Sequence, residues 1–165
     1  MTFWWLTVPA TVAVAVLVWT RRRHAVVRVT GSSMAPAFRS GDRVLVRRAT
    51  TSIRTGDVVA VEAPEQGAWT TTPLAAGISG RRWLIKRVAA VAGEPVPEGR
   101  VPALAGERIV PDGALVLLGD AGEISYDSKQ VGYFPADRVL GIAVRLMEDP
   151  SADSRARART RPWTR

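Results

Sequence analysis

From Ala25 to Met147 the chain is a succession of short β-branched runs broken by glycine and proline, and no stretch of it repeats apolar residues with a convincing helical period. Without a 3.6-residue period a segment cannot offer one apolar face as a helix, whereas short runs bounded by turn formers suit strands. The runs are Ala25–Thr30, Arg43–Arg47, Val58–Val61, Trp83–Val91, Arg108–Val110, Ala114–Leu118 and Val139–Met147. Gly56-Asp57 and Pro111-Asp112-Gly113 read as turns between them, and Pro64–Gly80 and Pro95–Gly106 as loops. This pattern predicts an all-β domain, a barrel or sandwich of short strands, over residues 25–149. A chain of 165 residues is long enough for one such core and short for two.

The two ends differ from this middle. Phe3–Thr20 carries no charge and has Trp4, Trp5 and Trp19 near its ends, as interfacial anchors would be placed. Eighteen residues rise about 27 Å as a helix, near the thin limit for a membrane span. A cleaved signal peptide is the rival, but the basic residues follow the apolar run instead of preceding it. Residues 1–24 are therefore expected to be a transmembrane anchor with a basic flank, Arg21-Arg22-Arg23. Residues 150–165 have little apolar content and are expected to form a disordered basic tail.

The net charge of +8 is concentrated at that flank and in the tail, so the middle is nearly balanced. Basic clusters beside an apolar segment fit anionic membrane lipid better than base reading, and no nucleic-acid partner is expected. Cysteine is absent, which excludes thiol nucleophiles, disulfides and thiolate zinc sites. One histidine, His24, cannot build a metal site without several carboxylate partners.

Lysine usage points to chemistry. Of 23 basic residues only Lys86 and Lys129 are lysine. Arginine cannot be deprotonated in a protein, whereas a lysine in an apolar setting can lose its proton and act as a base. Lys86 lies between Ile85 and the run Val88-Ala89-Ala90-Val91, where burial would lower its pKa. Ser33, in the turn Gly31-Ser32-Ser33-Met34-Ala35-Pro36, is a hydroxyl such a base could activate. The plainer alternatives are a turn serine and a strand-edge cation reaching water. Asp57, Asp112 and Asp120 each neighbour a glycine and read as turn residues.

Four stretches in order resemble the bacterial type I signal peptidase family. Gly31–Pro36 resembles its nucleophile motif, Arg54–Val59 the stretch that follows, Trp83–Val88 the general-base motif, and Gly119-Asp120 through Ser125-Tyr126-Asp127-Ser128-Lys129 to Gly132 the last motif. The resemblance implies a signal-peptidase-like β domain behind one transmembrane helix. It also implies a serine endopeptidase that removes signal or leader peptides after small residues, with precursor proteins as partners. Ser33 would be the nucleophile and Lys86 the general base. The Ser33 N–H would supply the oxyanion hole, Ser125 would position the amine, and Asp127 with Lys129 would form a supporting ion pair. Val27, Val29 and Ile85 would wall shallow substrate pockets, with Met34 packed beneath.

The chain departs from the family pattern at several positions. Gly31 stands where some members carry an oxyanion serine, leaving backbone or a neighbour such as Ser32 to serve. Ala37 replaces a threonine, Ala121 and Gly122 an Asn-Arg pair, and Lys129 an arginine. The family implies an extracytoplasmic catalytic domain, whereas the Arg21–Arg23 flank by itself argues for the cytoplasmic face. Two other readings stay open: a maturation protease on the cytoplasmic face for one precursor, and a membrane-anchored β domain that binds lipid or a partner without catalysis.

Overall fold

The computed structural model describes residues 11–15, 17, 19–20, 23–48, 52–65, 67–74 and 77–147. Seven strands form one antiparallel sheet: β1 (His24–Arg28), β2 (Arg43–Arg47), β3 (Val58–Glu62), β4 (Trp83–Val91), β5 (Ala114–Leu118), β6 (Phe134–Pro135) and β7 (Val139–Met147). Their order is β1-β2-β7-β3-β4-β5-β6, and the sheet curls into a half-barrel. The last strand in sequence thus sits between β2 and β3, which do not pair with each other.

Alternation puts Val44 and Val46 of β2 inside while Arg43 and Arg47 face out, the pattern of a sheet buried on one side. β3 and β5 are buried on nearly every residue because loops and neighbouring strands cover both faces. Three adjoining clusters make up the core. Val27, Val29, Met34, Val44, Ala60 and Ile85 pack at the β1–β2 end. Val59, Val61, Val88, Leu117 and Phe134 pack in the middle, and Val96, Leu104, Val110 and Val116 at the far end. Trp69 meets Phe134 edge-on at 5.4 Å, tying the long loop to β6.

Gly141 on β7 is one position where a side chain has no room. A Cβ there would overlap the Arg47 carbonyl, so β7 can cross β2 only with glycine at this place. The ladder of β2 and β7 shifts register beside it, between Leu45 and Val46.

The expected strand at Arg108–Val110 is corrected. The segment contributes only an isolated bridge, Ile109 opposite Pro95, with Val96 N–H donating to Arg108 O at 2.9 Å and Val110 N–H to Glu94 O at 3.0 Å. Pro95 and Pro111 each lack an N–H, so the ladder cannot extend in either direction. The free edge of β5 is taken instead by β6. The helical turn Ser128–Val131 and the 3-10 turns at Pro102–Leu104, Gly122–Ile124 and Ala136–Arg138 were too short to show a period in the sequence.

At the N-terminus, residues 11–15, 17 and 19–20 are helical, and the Arg23 guanidinium lies 4.7 Å over the Trp19 ring. Among the described residues no helix is long and apolar enough to cross a membrane. Much of the anchor expected at 1–24, residues 1–10 included, and the tail expected at 150–165 lie outside the described residues.

Candidate active site

Lys86 is one of the largest side chains shut away from solvent among the described residues, 1% exposed on β4. Its Nζ donates to Ser125 Oγ at 2.7 Å. Burial lowers its pKa from the usual 10.5 to about 8; Asp127 nearby works the other way, and Lys129 adds to the lowering. An ordinary lysine is almost wholly charged at neutral pH, whereas this one releases its proton near physiological pH.

The loop after β5 holds the groups around that amine. Asp127 is fully buried and caps the helical turn Ser128–Val131: its Oδ1 accepts from Lys129 N–H at 3.0 Å, while Gln130 Oε1 accepts from Asp127 N–H at 3.0 Å. Lys129 Nζ donates to Asp127 Oδ2 at 2.7 Å, and Gly119 N–H donates to the same oxygen at 2.9 Å. Burial alone would raise the Asp127 carboxyl. Hydrogen bonds from the Lys129 side chain, the Ser125 hydroxyl and the N–H groups of Lys129 and Gly119 outweigh it and hold the carboxyl below its usual value. Ser128, also buried, accepts from Leu117 N–H at 2.9 Å and so ties this loop back to β5.

Ser33 comes to this cluster from the other side of the sheet order, out of the loop between β1 and β2. Ala35 N–H donates to Ser32 O at 3.0 Å, closing a turn with Ser33 inside it, and Gly31 enters that turn at φ +91°. Ala121 N–H donates to the Ser33 carbonyl at 3.0 Å, joining the two loops directly. Gly119 marks how close they are: a Cβ on it would overlap both Ser125 Oγ and the Ser33 carbonyl oxygen. The Ser33 hydroxyl and its backbone N–H make no hydrogen bond among the described residues. Lys86 Nζ is hydrogen-bonded to Ser125, not to Ser33. Catalytic hydrogen bonds are often long in a substrate-free site and tighten when substrate arrives.

Val27, Val29, Met34 and Ile85 are 5, 5, 1 and 4% exposed and meet in one apolar cluster beside the loop. Ser32 is exposed on the turn. Nothing among the described residues gathers three metal-ligating side chains.

Two groups were missed as site features in the sequence. Asp120, read as a turn residue, holds Arg87 with two parallel bonds, Nε to Oδ1 at 2.9 Å and Nη2 to Oδ2 at 2.7 Å, while Arg87 Nη1 donates to Gly56 O at 3.0 Å. The hydrogen bonds from Arg87 pull the Asp120 carboxyl below its usual value, and Asp120 raises the guanidinium. The second is buried Glu62, which takes Arg81 on both oxygens at 2.7 Å and Arg138 at 3.4 Å. Both arginines also donate to Thr72 O, fastening the loop between β3 and β4 to the sheet.

The loop after β5 is thus bonded to both residues that the sequence singles out, Ser125 accepting from the Lys86 amine and Ala121 N–H donating to the Ser33 carbonyl. No curated protein matches the chain. A family model described as signal peptidase, peptidase S26, matches residues 1–99 and 97–147. The match takes in both loops and every strand of the sheet, and the chain belongs to the signal peptidase family, peptidase S26.

Proposed function

We propose that this protein is a membrane-anchored serine endopeptidase that cleaves signal or leader peptides from precursor proteins after small residues, with Ser33 as nucleophile and Lys86 as general base. The family implies precursor proteins as substrates. The observation that carries the residue assignment is the buried Lys86 amine, held on Ser125 beside the Ser33 loop with its pKa near 8.

In this mechanism Ser33 Oγ attacks the scissile carbonyl carbon and its proton passes to the neutral Nζ of Lys86. The Ser33 N–H, unpaired in the free protein, stabilises the oxyanion. When the C–N bond breaks, the Lys86 ammonium returns the proton to the leaving amine, and the acyl group stays on Ser33 as an ester. Water, giving a proton to Lys86, then hydrolyses that ester and frees Ser33. Ser125 orients Nζ, and Asp127 with Lys129 stiffens the loop that carries Ser125. Small side chains before the bond rest on the apolar cluster of Val27, Val29 and Ile85, with Met34 below. No metal or organic cofactor enters any step.

The same reading divides the chain into an anchor at 1–24, a catalytic domain at 25–149 and a basic tail at 150–165, with the domain on the extracytoplasmic face against lipid. The Arg21–Arg23 flank favours a second topology, with the domain in the cytoplasm. Because the chain lacks cysteine, one cysteine placed at exposed Arg108 and probed in intact cells with a membrane-impermeant thiol reagent separates the two faces.

The activity test uses full-length protein in detergent and a precursor peptide with small residues at the third and first positions before the bond. Wild type should cleave it, and Ser33→Ala and Lys86→Arg should not. Cleavage by Lys86→Arg at the wild-type rate would sink the mechanism.

A further inference from the structure

A cleft of about 810 Å³, a volume typical of ligand pockets, is lined by residues of the Ser33 loop, β4 and the loop after β5, none of which belongs to the apolar cluster. Pro36 and Ala37, just past Ser33, form one wall, and Leu118, Gly119 and Asp120 another. β4 sets the order along the sheet: Ile85 belongs to the apolar cluster, Lys86 follows, and Arg87, Val88 and Ala89 line the cleft. On the proposed reading, residues before the bond lie at the Ile85 side. A peptide crossing Ser33 therefore carries the residues after the bond into this cleft.

Its charge is lopsided. Arg87 is matched by Asp120 through both guanidinium nitrogens facing it. Arg100, which also lines the cleft, is exposed and has no ion-pair partner among the described residues. One positive charge is thus left over where the first residues of the released chain would lie.

We infer that this cleft is the subsite for the mature side of the precursor, and that Arg100 makes it favour an acidic side chain over a basic one in the first three positions after the bond. The inference rests on the proposed peptidase reading. An exposed cation is worth roughly 1.5- to fivefold in attraction of an anion and about as much again in repulsion of a cation, and salt weakens both.

The experiment compares three peptides that are identical before the bond and carry Asp, Asn or Lys after it. Cleavage by the full-length enzyme is read as kcat/KM, and binding to Ser33→Ala is read as Kd. The expected order is Asp, Asn, Lys, with a three- to tenfold spread in both readouts that shrinks in 1 M salt. Arg100→Glu should reverse that order, while Arg108→Glu, the same charge change outside the cleft, should keep it. Equal cleavage and binding of all three peptides would overturn the subsite and leave the peptidase standing. Absence of cleavage with ordered binding would sink the peptidase and keep the cleft as an acidic-peptide site; absence of cleavage with no ordered binding would sink both.

Discussion

Lys86 gives one N–H to Ser125 Oγ across 2.7 Å, and that bond leaves the nitrogen lone pair of the neutral amine uncommitted. A serine that accepts from the amine without taking its lone pair can orient a base and leave it able to take a proton. On the proposed mechanism, the pKa near 8 then sets the pH at which Lys86 can serve as the base.

The rate should therefore follow the neutral fraction of Lys86. Measured against pH on a small-residue peptide, kcat/KM is expected to rise about tenfold per pH unit below pH 8 and level off above it. A profile flat from pH 6 to 9 would mean that Lys86 is not the group that titrates.

Asp127 and Lys129 act on Lys86 with opposite signs. Asp127 raises its pKa and Lys129 lowers it, so Asp127→Asn should move the midpoint of the pH profile down and Lys129→Met should move it up. The two variants also differ in stability. Because the folded pKa of Asp127 is depressed, its contribution is present above the unfolded value of about 4 and is lost as pH falls through the folded one. At neutral pH Asp127→Asn should cost about 2–4 kcal/mol in denaturant unfolding, since it removes a buried acceptor of several hydrogen bonds.

Gly119→Ala should remove activity by about a hundredfold or more with the fold retained, because the added methyl would collide with Ser125 Oγ and the Ser33 carbonyl together. Circular dichroism and a peptide assay on the same sample would check both halves. Full activity in this variant would mean that the two loops are not held together as described.

Lys86→Met should be inactive and yet more stable at pH 7. The folded pKa lies about 2.5 units under the unfolded value, so below pH 8 the fold bears roughly 3 kcal/mol for holding a charged lysine inside, a penalty that fades between pH 8 and 10.5. Losing the Ser125 bond offsets about 1 kcal/mol of the gain. Thermal unfolding at pH 7 should rise by a few degrees, and the difference from wild type should shrink by pH 10.

Much of this was legible in the chain. β2, β4, β5 and β7 begin and end where their apolar runs do, and Gly41-Asp42 and Pro111-Asp112-Gly113 turns lead into β2 and β5. Lys86 stood out because the chain uses arginine wherever charge alone is needed. Asp120 did not stand out, since a turn aspartate and an ion-pair aspartate look alike until Arg87 arrives from 33 residues away. Glu62, Arg81 and Arg138 were hidden for the same reason, being joined only when β7 returns between β2 and β3. The role of Gly119 depends on two chain segments meeting above it, which no local pattern encodes.

The position of β7 bears on when this protein can act during its own synthesis. The strands flanking the Ser33 loop and the strand carrying Lys86 belong to separate hairpin systems until Val139–Met147 is made and inserted between them. A nascent chain short of that strand holds Ser33 and Lys86 on strand pairs that no sheet ladder yet joins, so on the proposed reading the site is completed only once the last strand is made.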